Sequence, residues 1–181
     1  EELNKFIHIF LNRNDISIEV TDNDYFILKR GGNIATNLSD GEKTAIAFSH
    51  FMVMLNSLQI SNLKNTIIYI DDPISSLDAN HIAQVSSLIN SFFFRKEVEG
   101  DNPSKIISCF KQLFISTHSF EFYSFIKTAN NIKRNKDGKC CNFFLLKRKS
   151  CTESILTDIP KELSNYNSEY IYLFSEIGTL N

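Results

Sequence analysis

A short apolar, β-branched run, Thr66-Ile67-Ile68-Tyr69-Ile70, ends abruptly on two carboxylates, Asp71 and Asp72, and then on Pro73. No other feature restricts the fold as tightly. A run of this length without polar alternation predicts a strand covered on both faces, the habit of parallel sheets. A second run, Leu113-Phe114-Ile115-Ser116, has the same character and leads into Thr117-His118. Between the two, a helix is predicted from about Ala79 to Phe94, with Ile82, Val85, Leu88, Ile89 and Phe92 on one stripe. Strand, helix and strand in this order predict an α/β fold with a mostly parallel sheet flanked by helices. Sites in such sheets form at the carboxyl ends of strands. Asp71, Asp72 and His118 all fall just beyond predicted strand ends.

The flanking segments extend the pattern. Glu1–Leu11 has Leu3, Phe6, Ile7 and Phe10 at helical spacing. Ile16–Val20 alternates, Tyr25–Lys29 is β-rich, and Asp22-Asn23-Asp24 between them predicts a hairpin turn, with a second turn at Gly31-Gly32-Asn33. A helix follows from about Asp40 to Gln59, apolar nearly all round, so both its faces are expected to be covered. The polar stretch Ser61–Asn65 ends it, and Arg95–Lys105 is expected to be a surface loop. After His118 a helix is expected through about Ala129, then a polar loop over Asn130–Lys139. Phe143–Lys147 and Ser154–Ile159 predict paired strands. Ser168 is expected to cap a last helix carrying Tyr170, Leu173, Phe174 and Ile177.

Composition narrows the functional classes. The chain has 181 residues, 43% of them hydrophobic and 22% charged, which suits one soluble domain with a real core. A formal net charge of −2 gives no global footprint for nucleic acid. Two local clusters, Lys133/Arg134/Lys136/Lys139 and Lys147/Arg148/Lys149, are either solvated surface or a rim for phosphates. The 16 phenylalanines, including Phe92-Phe93-Phe94, are expected to pack the core and interfaces. Cys109, Cys140, Cys141 and Cys151 form no C-x-x-C pair and no zinc spacing with histidine. No apolar run approaches the roughly 18 residues of a membrane span, so a soluble, cytoplasmic protein is expected. The chain opens on Glu1 without Met, and its first residues look like the tail of a helix, as in a piece of something longer.

Four segments carry chemistry. In Leu38-Ser39-Asp40-Gly41-Glu42-Lys43, Ser39 and Glu42 make a capping box at a helix start. Capping does not explain Gly41, a poor helix former. A glycine there lets another group approach the open N–H groups of the first turn, which favour anions. Asp71 and Asp72 at a strand end are costly unless they meet a cation or a water network. Asp71 can hold Mg²⁺, and Asp72 can orient or deprotonate an attacking water; either could instead cap the following turn. In Ser75-Ser76-Leu77-Asp78, Asp78 could be a helix N-cap. His118 follows the second strand, where an imidazole could face the same site.

Order and spacing tie these segments together. The stretches L-S-D-G-E-K-T-A-I-A-F, I-Y-I-D-D-P-I-S-S-L-D and I-S-T-H resemble the ABC ATPases, and within them the SMC-like group containing the RloC- and PrrC-like anticodon nucleases. The likeness covers about Asp15 to His118, and S-E-Y-I-Y-L-F near the end also resembles that group. It implies the C-terminal lobe of a P-loop NTPase-like ABC head, with a β-hairpin before the signature helix. It further implies ATP and Mg²⁺ as cofactors and a second head as partner, with the nucleotide sandwiched between the two. Leu38, Ser39, Asp40, Gly41 and Glu42 match the signature that contacts the nucleotide of the opposite protomer. Asp71 matches the Walker B magnesium acid, and Asp72 the catalytic carboxylate. Most ABC ATPases have Glu there, so Asp72 departs from the wider class. Ser76, Leu77 and Asp78 match the D-loop, and His118 the switch histidine.

No G-x-x-x-x-G-K-[ST] phosphate loop occurs in the chain. Residues 1–181 are therefore expected to form a single partial domain, with the Walker A lobe N-terminal to Glu1 and no ATP turnover without it. A ribonuclease domain, where present, is expected beyond Asn181, with tRNA or DNA reached through other domains. The expected function is ATP binding and hydrolysis that regulates a nucleic-acid-processing activity such as a defence nuclease. An SMC-like DNA-repair ATPase and a non-catalytic nucleotide-dependent interaction module are the alternatives. A transporter subunit fits less well, because such heads carry Gln after the signature glycine.

Overall fold

The structure is a computed structural model that describes residues 1–23, 25–75, 77, 79–99, 102–108, 110–129, 141–165 and 169–178. Ser76, Asp78, Cys109, Cys140, the Asn130–Lys139 stretch with its basic cluster, and the Ser168 cap lie outside them.

Helix α1 (Glu2–Leu11) ends at Asn12, whose left-handed φ of 50° is a conformation Asn tolerates. Strands β1 (Ile16–Val20), β2 (Phe26–Arg30) and β3 (Asn33–Ile34) make an antiparallel sheet in that order. Gly31 and Gly32, at φ 56° and 86°, form the tight turn between β2 and β3. Two positive φ values in a row are what a two-residue hairpin loop demands, and glycine supplies them without strain. Helix α2 (Asp40–Ser57) carries the predicted signature at its start, and a short helix, α3 (Ile60–Leu63), occupies the stretch expected to be polar coil. Strand β4 (Ile67–Asp71) follows, then α4 (Ala79–Phe93).

Strands β5 (Phe94–Glu99) and β6 (Asn102–Ser108) form an antiparallel hairpin where a surface loop was expected. The error has a physical cause. A hairpin is held by backbone pairing between sequence neighbours and tolerates a polar sequence, so composition alone misses it. Strand β7 (Gln112–Ser116) leads into α5 (Phe120–Thr128). An antiparallel hairpin of β8 (Phe144–Arg148) and β9 (Ser154–Asp158) precedes helices α6 (Lys161–Asn165) and α7 (Glu169–Gly178).

Parallel pairing is confined, among the described residues, to two strands, β4 and β7, so the mostly parallel sheet expected is not what forms. Every other described strand pairs antiparallel with a sequence neighbour. One core joins α1, α2, β4, α4 and α5, with Phe10, Phe93 and Phe122 fully buried. The predicted α4 stripe, Ile82, Val85, Leu88, Ile89 and Phe92, is buried throughout. Phe92 meets Phe6 and Phe93 edge-on, as aromatic quadrupoles prefer. Helix α2 is covered on one face only: Ala45, Phe48, Met52 and Leu55 are buried, whereas Ala47, His50 and Met54 are exposed. β4 is also covered on one side. Ile68 and Ile70 are buried, but Ile67 and Tyr69, with Phe114 opposite Tyr69 on β7, stand open at 51–62% exposure.

Candidate functional site

The parallel register assembles the site. Asp71 pairs with Ser116, so the last residue of β4 lies beside the last residue of β7. The Asp72 amide then donates to the Ser116 carbonyl at 2.8 Å, extending the ladder one residue past the strand. Asp72 sits in the left-handed region at φ 44°. That conformation turns the chain away from the sheet at the start of a tight turn, in which the Ser75 amide donates to the Asp72 carbonyl at 3.1 Å.

Each acid takes a hydroxyl from the neighbouring strand end. The Ser116 hydroxyl donates to Asp71 Oδ1, and the Tyr69 hydroxyl lies 3.0 Å from Ser116 Oγ and 3.5 Å from Asp71 Oδ1. Thr117 Oγ1 donates to Asp72 Oδ1 at 3.1 Å, while His118 Nδ1 lies 2.6 Å from Asp72 Oδ2. The Asp72 side chain is thus engaged by Thr117 and His118, and among the described residues it caps no amide of the turn that follows it. The His118 side chain is 78% exposed, against 22% for Asp72. With Nδ1 held by Asp72, its other ring nitrogen is the one available to a ligand. Ser116, Thr117 and Tyr69 were not singled out from the sequence. Their signal was there: two hydroxyl residues directly precede His118 at the end of the strand that pairs with the acids.

The donor set suits a hard cation. A carboxylate on an exposed strand end, flanked by hydroxyls, is the kind of oxygen ligation Mg²⁺ uses together with substrate phosphates. Asp71 would hold such an ion, with Ser116 beside it. The ion would neutralise phosphate charge when bound.

The expected signature segment is built as a capped helix start. Ser39 accepts from the Glu42 amide at 3.2 Å, and Glu42 Oε2 accepts from the Ser39 amide at 2.8 Å, so the predicted capping box is complete. Lys43 pairs with exposed Asp40 at 2.9 Å. Glu42 does more than cap. Its buried carboxylate meets Arg13 and also Arg30, the latter at 2.8 Å to each oxygen. Burial pushes the Glu42 carboxyl up, but the Ser39 amide, the Arg13 bond and the charges of Arg30 and Arg13 together outweigh it and hold its pKa below the usual value. The arginine pair was missed in the sequence, although a hairpin that places Arg30 opposite Ile16 brings both guanidinium groups to the helix start.

The described hydrogen bonds and ion pairs join Asp71, Asp72 and His118 to one another's neighbours, but none joins them to Leu38–Glu42. Leu77 packs against the core and its amide donates to the Ile74 carbonyl at 3.0 Å. Its expected companions Ser76 and Asp78 lie outside the described residues. The second basic cluster is engaged locally: Arg148 donates to the carbonyls of Ser150 and Cys151, Lys149 pairs with Glu153, and Lys147 lies over the Tyr172 ring. A cleft between α5 and α7 lined by Phe120, Phe125 and Tyr170 includes none of Asp71, Asp72 and His118.

A family model described as an AAA domain matches residues 1–181. The chain belongs to this AAA domain family. Comparison with curated proteins finds no match. Among solved structures, a chain from a structural study of ATP-driven dimerization and DNA-stimulated activation of SMC ATPases is similar, with a TM-score of 0.52. The similarity spans 97% of this chain and 91% of that one at 13% identity. At that identity the likeness is one of fold. This AAA-family chain thus shares its fold with a chain from that SMC ATPase study. Among its described residues no helix is long and apolar enough to cross a membrane.

Proposed function

We propose that the domain binds and hydrolyses ATP with Mg²⁺ at a composite site closed by head-to-head dimerisation. In this reading Asp71 holds the metal, Asp72 orients or deprotonates the attacking water, and His118 acts on the γ-phosphate side. Leu38–Glu42 contacts the nucleotide bound by the partner head, and Ser76, Leu77 and Asp78 lie along the dimer interface. The observation that carries the proposal is the β4–β7 register, which gathers Asp71, Asp72 and His118 at one sheet edge. No described hydrogen bond or ion pair joins the signature to that edge, which fits a site shared between two heads, and the SMC ATPases of the similar structure are described as dimerising on ATP.

The chain carries no phosphate loop, and this proposal has it act as the C-terminal lobe of the head. The open face of Ile67, Tyr69 and Phe114 is the surface a phosphate-loop lobe would cover, since parallel sheets are ordinarily packed on both sides. The ATP cycle is proposed to regulate a cytoplasmic nucleic-acid-processing activity, such as a defence nuclease that cuts tRNA anticodons. The fold similarity to SMC ATPases favours one alternative, a DNA-repair or chromosome-maintenance ATPase.

Ser39→Arg tests the shared site. The residue is exposed at the start of α2, and its replacement sets a bulky cation where the helix must meet the partner's nucleotide. The lost cap costs only about 1 kcal/mol, so the protein stays folded. In the full-length protein, light scattering with ATP present is expected to show monomers for the variant and dimers for the wild type. Dimers at wild-type nucleotide concentration would reduce the signature to a helix cap.

His118→Ala is expected to lower turnover while leaving stability within about 1 kcal/mol, because an exposed ring contributes little packing. Thermal melts and ATPase assays on the same preparation separate this from a structural role, which would move both.

A further inference from the structure

The proposed chemistry leaves Thr117 without a task, yet its hydroxyl is held by two hydrogen bonds at the sheet edge. Thr117 Oγ1 accepts from the Ser119 amide at 3.0 Å and donates to Asp72 Oδ1 at 3.1 Å. The direction follows from the partners: an amide can only donate, and an ionised carboxylate can only accept. Ser119 is itself the N-cap of α5, with its side chain accepting from the Phe122 amide at 3.2 Å. The Phe122 ring is fully buried. A continuous set of bonds therefore runs from the core, through the start of α5, to one oxygen of Asp72.

Resting on the reading of Asp72 as the water-directing acid, we propose that Thr117 is a positioning residue that fixes the plane of the Asp72 carboxylate. The terminal torsion of an aspartate is broad, so one contact leaves the carboxylate free to swing. His118 supplies a second contact on the other oxygen, but its ring is 78% exposed. Thr117 is half-buried and tied to a helix start, so its hold on Asp72 does not depend on the exposed ring. With one lone pair of Oδ1 bound to Thr117, the remaining lone pairs keep a defined direction toward solvent, where a water would be held. The left-handed backbone at Asp72 sets where this short side chain begins, and Thr117 sets where it points.

The test uses the full-length ATPase with Thr117→Val, Thr117→Ser and Asp72→Asn. Valine keeps the shape and removes the hydroxyl; serine keeps the hydroxyl. Thr117→Val is expected to lower kcat roughly tenfold, the scale of one lost hydrogen bond to a charged group. KM for ATP and ATP-driven dimerisation are expected to stay within about twofold. Thr117→Ser is expected to retain kcat within about threefold. Wild-type kcat in Thr117→Val alongside an impaired Asp72→Asn overturns the role of Thr117 and spares that of Asp72. A loss of kcat in Thr117→Val that serine fails to restore also overturns it, because the hydroxyl is then not the cause. Wild-type turnover in Asp72→Asn removes the reading on which Thr117 rests, and the positioning role falls with it. Should Thr117→Val fail to fold, Thr117→Ala against Thr117→Ser decides in the same way.

Discussion

Asp72→Asn in the full-length protein is expected to cut steady-state ATP turnover roughly 10²-fold or more, the usual contribution of a positioned general base. The substitution changes little volume and keeps one oxygen, so Thr117 Oγ1 can still donate to it. The other position becomes an amide, which meets His118 Nδ1 as a donor where a carboxylate had accepted. The variant therefore loses both the negative charge that would act on a water and the acceptor that orients the imidazole. Nothing in the change touches Leu38–Glu42, so ATP-driven dimerisation is expected to survive. A phosphate-release assay paired with light scattering would show stalled, dimeric heads. Unchanged turnover would remove Asp72 from the chemistry and leave the sheet edge as a structural junction.

The second large effect is on stability. Glu42→Ala strips the Ser39 amide of its acceptor and leaves Arg13 and Arg30 without the carboxylate they share. Both arginines are about two-fifths exposed and can rehydrate, so the loss falls short of that for a fully buried pair. A loss of about 3 kcal/mol is expected, which lowers Tm by roughly 6–12 °C for a domain of this size. Glu42→Gln keeps an acceptor for the Ser39 amide and should lose less. The pH dependence follows from the lowered pKa. On acidification the unfolded chain takes up this proton first, so the Glu42 contribution is complete above about 4.5 and fades as pH falls through the lower folded value. The stability gap between wild type and Glu42→Gln should therefore narrow in that acid window. A gap that is constant from neutral pH down to acid would mean that folding does not hold the Glu42 pKa below its unfolded value.

The sequence revealed the elements whose signal is local. The α4 stripe, the β1–β2 hairpin, the capping box at Ser39 and the two apolar strands were all legible, because each depends on residues a few positions apart. Asp71, Asp72 and His118 were legible as strand-end residues, and parallel pairing brought them together. Partners that arrive from a distance were not legible. Arg13 and Arg30 reach Glu42 only through the folded hairpin, and Ser116 and Thr117 reach the acids only through the register of β4 against β7. The extent of the parallel sheet was misjudged for a related reason. A strand read as covered on both faces implies neighbours, but Ile67, Tyr69 and Phe114 remain open among the described residues. The β5–β6 hairpin escaped notice because backbone pairing leaves little trace in a polar sequence.

The contacts that orient the two acids also date the site's appearance during folding. Helix α4 and the β5–β6 hairpin can each form from neighbouring residues. The β4–β7 ladder cannot, since Asp71 must find Ser116, and Asp72 must find Thr117, across 45 residues of chain. Bringing such ends together carries a loop-closure entropy that local elements escape, so parallel pairing of this kind comes late. The same β4–β7 pairing that joins distant parts of the chain also aligns the carboxylates. A partly folded chain therefore carries the acids without their geometry, and only a chain that has finished its crossover holds an ordered acid pair.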